Sequence, residues 1–204
     1  MLSVEFVGSS YGGFPCIPEL INKNSVVLDF GVGEDISFAK ELHHKTGCFV
    51  EVFDFTPNSI SWYKKNHSGL KYIKYNEYGI SNFDGIHKVY NYGGGISRRS
   101  SWMGYDNNEN YPVKSMKTII DEKNIKIIDI LKLDIEGEEY KVIPNLFENQ
   151  IFPKQICLEE HKRFLKDQRI HDEVFELLNI FYILKGKTST EYCFLLKEEA
   201  NLIK

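Results

Sequence analysis

The chain has 204 residues, 42% of them apolar and 26% charged, with a formal net charge of −4. That is the length of a single domain with a core of its own and the composition of a globular protein. The acidic balance and the lack of a basic block argue against a nucleic-acid partner, and no stretch approaches the roughly 18 apolar residues of a membrane span.

The first residues, MLSVEFVGSS, carry no basic region and only a short apolar run. They do not read as a secretory signal, so a cytoplasmic location is expected. Residues 1–24 form an N-terminal segment of a single domain spanning 1–204. Cys16, Cys48, Cys157 and Cys193 lie far apart without CxxC spacing and read as reduced thiols packed in a core.

From residue 25 onward, short apolar runs alternate with helical patterns. SVVLDF (25–30), CFVEVFDF (48–55) and LKYIKY (70–75) predict three strands, and IIDILKLDI (127–135) and QICLEE (155–160) two more. The runs at 25–30 and 127–135 are almost continuously apolar, as strands buried on both faces are. Helices are predicted at 35–45, 57–67, 137–147 and 167–179 from apolar residues at 3.6-residue spacing. The third is expected to end or kink near Pro144. The tail, IFYILKGKTSTEYCFLLK, has two apolar runs and no room for a crossover helix, so it predicts an antiparallel hairpin. Between the third and fourth strands, residues 79–114 are rich in glycine and aromatic residues. They read as a long substrate-side loop, with GIHKVYNY as a short edge strand. The pattern as a whole is α/β and Rossmann-like. It predicts a seven-stranded, mostly parallel sheet with a C-terminal antiparallel hairpin and helices on both faces, the outline of class I methyltransferases.

Three stretches carry chemistry. VVLDFGVGED (26–35) is a strand, a Gly31-x-Gly33 turn and a helix start, where glycines let backbone approach a ligand at the carboxyl edge of a sheet. It lacks the third glycine of a dinucleotide fingerprint, and a diphosphate there would meet Asp29, Glu34 and Asp35. A ligand with an ammonium and a sulfonium, such as S-adenosylmethionine, escapes that repulsion. Asp54, 25 residues beyond Asp29 at the end of the second strand, is placed for its ribose hydroxyls. ILKLDIEGEEY (130–140) puts Asp134 and Glu136 on one side of the fourth strand's end, with Lys132 on that side to neutralise one of them. The next strand ends in Glu159, Glu160 and His161 at the same edge, and His161 is the group best suited to take a proton near neutral pH. No two-histidine-plus-carboxylate spacing marks a metal site, although Asp134, Glu136 and Glu159 can assemble one in space; no metal is expected. In the long loop, Arg98 and Arg99 are candidates to clamp a phosphate or carboxylate of the substrate, and Trp102 to stack on a ring.

With these stretches in order, the chain resembles the FkbM family of S-adenosylmethionine-dependent methyltransferases. The resemblance rests on VVLDFGVGEDISFAKEL, VEVFDFTPNS, YGISNFDGI and above all LKLDIEGEEYKVI followed by LEEH, covering about 26–161. The chain departs from the family's usual pattern in its short acidic glycine turn and in Thr56 before the proline. The resemblance implies O-methylation of a sugar, glycan or small metabolite. It places Asp29, Gly31 and Gly33 at the methionine end of the cofactor, Asp54 at the ribose, and Gly79, Ile80 and Ser81 at the adenine. It places Asp134 and Glu136 at the reacting centre, where they and His161 are the candidate catalytic residues. The other readings are a non-catalytic binding subunit of the same fold and an NAD-dependent enzyme.

Overall fold

The computed structural model describes residues 2–91, 98–100 and 108–202. The five apolar runs become β3 (Val26–Phe30), β4 (Phe49–Phe53), β5 (Ile73–Asn76), β10 (Ile130–Leu133) and β11 (Gln155–Glu159). All five are parallel. The tail forms the expected hairpin of β12 (Tyr182–Lys187) and β13 (Glu191–Leu196), and β13 runs antiparallel to β11. The sheet order is β12-β13-β11-β10-β3-β4-β5. The order reverses between β3 and β10, so a crevice must open at their carboxyl ends.

Side chains alternate across this sheet, and each face has its own core. On one face Leu28, Phe30, Phe53, Leu131, Leu133 and Leu158 pack with Met116 and Ile119 of α3 (Met116–Lys123). Beyond them lie α4 (Glu139–Glu148), through Val142 and Leu146, and α5 (Arg169–Phe181), through Val174 and Leu178. On the other face Val27, Val50, Val52 and Ile130 pack under Phe38, Ala39 and Leu42 of α1 (Ser37–Thr46) and Tyr63 of α2 (Pro57–Asn66). α1 stops at Gly47, whose φ of +73° closes the last turn through its N–H and the His43 carbonyl at 2.7 Å. All four cysteines are buried free thiols. Among the described residues no helix is long and apolar enough to cross a membrane.

Two expectations are corrected, and one segment gains a structure. Residues 79–114 are not simply a loop: β6 (Gly79–Ile80), β7 (Gly85–Asn91), β8 (Arg98–Ser100) and β9 (Asn108–Lys114) form a second sheet in the order β6-β9-β7-β8. Its long pair, β7 and β9, alternates, with His87 and Val113 buried while Ile86 and Lys88 face out. α4 does not end at Pro144 but runs on to Glu148, because Pro144 removes a single hydrogen bond while Tyr140, Val142, Ile143 and Leu146 bury the helix's apolar stripe. The N-terminal segment is a hairpin of β1 (Glu5–Val7) and β2 (Phe14–Cys16), with β2 wholly buried.

That segment is fastened to the main sheet by one buried amide. Gln155 of β11 accepts the Ile17 N–H at 2.8 Å and donates to the Ile17 carbonyl at 3.1 Å. Gln155→Leu leaves both backbone groups unpaired, so we expect a loss of about 2–4 kcal/mol. Urea unfolding checks this, and an unchanged midpoint would show that the amide is not the fastening.

Candidate functional site

The crevice is a cleft of about 880 Å³, counted to its open mouth, at the carboxyl ends of β3, β4 and β10. Its floor depends on Gly31, where φ is +78° and an added Cβ would lie 1.6 Å from the Asp134 carbonyl oxygen. β3 and β10 therefore leave the sheet in backbone contact, and only glycine fits. Gly33 follows with φ +53°, its N–H donating to Asp54 Oδ2 at 2.9 Å. The other oxygen of Asp54 accepts from the Thr56 N–H and hydroxyl at 2.8 and 2.7 Å. The carboxylate at the end of β4 thus fixes the glycine turn while lining the cleft.

Of the two acids after that turn, Asp35 serves the N-terminal hairpin. Asp35 Oδ1 accepts the Ser37 N–H at the start of α1, and Oδ2 accepts the Ser9 hydroxyl at 2.6 Å. Burial works against this carboxylate, but the Ser37 and Ser9 hydrogen bonds outweigh it and hold the group below its ordinary range. Tyr11 and Gly12 are thereby brought onto the cleft wall. Partial burial, then the charges of Asp134, Glu136, Glu159 and Asp35, raise the Tyr11 phenol. Nothing in the structure explains Glu34.

Asp29 does not line the cleft. It is buried, with Oδ1 2.8 Å from Lys132 Nζ on the neighbouring strand. Burial raises Asp29 despite the lysine; burial alone would lower Lys132, and the Asp29 charge instead holds it above its ordinary value. The ammonium lies 4.4 Å from the centre of the Phe14 ring and reaches the cleft wall.

At the end of β10 stand Asp134 and Glu136, the latter in left-handed backbone at φ +54° and the following Gly137 at +103°. A glutamate in that conformation costs about 1 kcal/mol or more and persists only where its surroundings enforce it. Glu139 enforces it: Oε1 accepts the Ile135 N–H and Oε2 the Gly137 N–H, each at 2.8 Å. The same Oε1 lies 2.9 Å from Nδ1 of His161, beyond the end of β11. His161 is buried against Phe164, and its Nε2 lies 3.9, 3.8 and 3.9 Å from oxygens of Asp134, Glu136 and Glu159. Burial alone would lower this imidazole; Glu139, then Asp134 and Glu136, push it up to about 9. Burial pushes Asp134 up to about 8, Glu159 adding to the rise while Lys132 and His161 oppose it. Ligating atoms of Asp134, Glu136 and His161 all lie within 4.8 Å of one another, a grouping their sequence spacing does not suggest.

On the far wall, Gly79 leaves room for the Phe55 ring, which an added Cβ would meet at 2.6 Å; Phe55 stacks on Tyr111 at 4.6 Å. Ile80 lines the wall. Ser81 stands behind it and donates to Glu138 Oε1 at 2.6 Å, while His87 Nε2 lies 3.3 Å from Glu138 Oε2.

Of the residues singled out from sequence, Gly31, Gly33, Asp54, Gly79, Ile80, Asp134 and Glu136 share one cleft, and Asp29, Ser81 and His161 support it from behind. Arg98 and Arg99 lie on β8, whose backbone pairs with Tyr90 and Asn91 of β7. Trp102 lies outside the described residues. Sequence reasoning missed Tyr11, Phe55, His87 and Glu139, although Glu139 closes the EGEE run and was there to be asked about.

A family model described as the methyltransferase FkbM domain matches residues 18–187. No curated protein matches the chain. Among solved structures, the Methanococcus jannaschii fibrillarin pre-rRNA processing protein is 12% identical with a TM-score of 0.51, covering 91% of this chain and 71% of its own. The N-methyltransferase NodS from Bradyrhizobium japonicum WM9, in complex with S-adenosyl-L-homocysteine, is 10% identical with a TM-score of 0.41, covering 84% and 78%. M. jannaschii TYW2 in complex with AdoMet is 10% identical with a TM-score of 0.39, covering 96% and 88%. At such identities the fibrillarin likeness speaks for the fold alone.

The buried ion pair generates a test. Lys132→Met leaves Asp29 charged and unpaired, and should destabilise the protein by about 3–5 kcal/mol. Adding Asp29→Leu should recover most of that loss in urea unfolding. A double variant no better than the single one would show that the lysine acts through packing on Phe14 instead.

Proposed function

Given that the chain belongs to the FkbM family of S-adenosylmethionine-dependent methyltransferases, we propose that it methylates a hydroxyl of a sugar, glycan or small metabolite. One observation carries the reading: the carboxylates of Asp134 and Glu136 at the end of β10, backed by the imidazole of His161, open onto the same cleft as the glycine turn and Asp54. A cofactor site and proton-accepting groups therefore share one enclosed space.

The lining suits this cofactor's charge. Asp54 and Glu136 face the cleft together, an arrangement that repels a diphosphate and attracts an ammonium and a sulfonium. In our reading Gly31 and Gly33 present bare backbone to the methionine end, and Asp54 accepts from the ribose hydroxyls with the lone pairs left by Gly33 and Thr56. Gly79, Ile80 and Phe55 flank the adenine. S-adenosylmethionine supplies an electrophilic methyl group: the S–CH3 bond breaks with its electron pair left on sulfur, and the acceptor oxygen forms the new C–O bond.

The protein's share is alignment, exclusion of water and disposal of a proton. The acceptor proton passes to the Asp134 and Glu159 carboxyl pair, whose mutual proximity adds to the rise of Asp134. His161 holds that pair in place and is itself held by Glu139. Asp29 acts only through Lys132. Arg98, Arg99 and Trp102, all within the 79–114 region, are proposed to meet the acceptor.

Thermal melting with S-adenosylmethionine, S-adenosyl-L-homocysteine and NAD, run side by side, tests the cofactor. The first two should raise Tm, in line with a gain near 2.7 kcal/mol at a hundredfold excess over Kd. Stabilisation by NAD alone would end the reading. Asp54→Asn should bind S-adenosylmethionine at least about tenfold more weakly by calorimetry. Unchanged affinity would remove the ribose assignment.

A further inference from the structure

We propose that Asp134, Glu136 and His161 bind one divalent transition-metal ion, of the Mn2+ class, beside the methyl-transfer centre. The binding claim stands on the side chains themselves, whereas the ion's use in catalysis rests on the methyltransferase reading above.

Geometry comes first. One ion with ligands at 2.0–2.3 Å holds its donor atoms roughly 3–4.5 Å apart. The ligating atoms of these three residues all fall within 4.8 Å of one another. His161 Nε2 is 3.9 Å from Asp134 Oδ1 and 3.8 Å from Glu136 Oε2, too far for hydrogen bonds and right for two atoms sharing an ion.

The histidine is the independent observation. Its ring is almost wholly buried, with 1% of the side chain exposed, and its Nδ1 is engaged by Glu139 at 2.9 Å. Nε2 faces oxygens of Asp134, Glu136 and Glu159, each beyond hydrogen-bond reach at 3.9, 3.8 and 3.9 Å. With Nδ1 gripped by Glu139, Nε2 is the ring atom turned toward those oxygens, and a metal ion entering there takes the place of the imidazole proton among the carboxylates. A carboxylate gripping the far nitrogen is also how a metal-bound histidine has its tautomer fixed. An organic cation would answer the negative charge but cannot accept the imidazole lone pair. Lys132, the nearest ammonium, is already paired with Asp29 at 2.8 Å.

The donor set chooses the metal. Two carboxylate oxygens and one imidazole nitrogen suit Mn2+ and its first-row neighbours better than Mg2+ or Ca2+, which favour all-oxygen shells. Three protein ligands leave positions open toward the cleft, where an acceptor oxygen can bind and be acidified. Asp134 then serves as a ligand, and Glu159, the other member of the pair, is left to take the acceptor's proton.

Electron paramagnetic resonance of Mn2+ titrated into chelator-treated protein tests this without any turnover. The wild type should take up one Mn2+ per chain with Kd at or below about 10 µM, the weak end of the range of sensor-type oxygen sites. Glu136→Gln and His161→Ala should each weaken it about 10- to 100-fold. A wild-type titration that leaves the free Mn2+ signal undiminished overturns the proposal with no variant needed. So does a folded Glu136→Gln that binds as the wild type does; its side chain sits in the open turn, so it decides the matter should His161→Ala fail to fold. Calorimetry with S-adenosylmethionine separates the two claims. Cofactor binding without Mn2+ uptake sinks the ion and spares the methyltransferase, and Mn2+ uptake without cofactor binding does the reverse.

Discussion

The carboxylate of Glu139 is the constraint on which the site depends. It is buried at the start of α4, where an unpaired charge would be costly, and it is satisfied by two backbone N–H groups and one imidazole. Those three donors come from two places: Ile135 and Gly137 of the turn, and His161 from the next strand's end. One side chain therefore closes the turn after β10, holds Glu136 in left-handed backbone and sets the orientation of His161. The two most recognisable parts of the sequence, LKLDIEGEE and LEEH, are in this sense one device, because the last acid of the first grips the histidine of the second.

A second constraint acts across the sheet. The strand order reverses between β3 and β10, and Gly31 lets the two chains leave the sheet with almost no space between them. On the face toward the N-terminal hairpin, Asp29 and Lys132 join the same two strands as a buried pair. Removing two charges from water gives little net stability, so the pair is better understood as fixing register and as delivering one ammonium to the cleft. The glycine contact sets where the cleft floor lies, and the ion pair sets which charge comes up through it.

Much of this was legible in the sequence. Strands buried on both faces write continuous apolar runs, so β3 and β10 were plain, β4 and β11 showed as short apolar runs between helical patterns, and the closing hairpin followed from the missing crossover helix. The second sheet was not, because β7 and β9 alternate buried and exposed residues and the sequence between them is rich in glycine, which a reading by composition assigns to a loop. β1 and β2, three residues each, are shorter than any periodicity can register, and α3, with eight residues, barely exceeds it. Asp29 showed a different limit. An acid inside a buried strand signals importance, but the alternation of faces does not reveal whether it meets a ligand or, as here, a lysine one strand away. Lys132 was expected to neutralise Asp134 or Glu136, and it sits near them, yet its close partner is Asp29.

The acids of the glycine turn show how such a reading can be right in direction and wrong in place. Their negative charge spoke against a diphosphate, and the cleft is indeed lined with carboxylates. Asp35, however, spends its two oxygens on the Ser37 N–H and the Ser9 hydroxyl. Gly8 N–H on Glu41 and Ser9 N–H on the Ser37 hydroxyl complete the docking of that loop onto α1. The contact carries Tyr11 to the carboxylates of β10 and β11, so the hairpin at the start of the chain becomes one wall of a cleft built by its middle. The carboxyl groups that line the cleft are thus chiefly Asp54, Asp134 and Glu136, at the ends of β4 and β10. The turn after β3 contributes shape: two glycines that keep the floor open, and an aspartate that holds the wall upright.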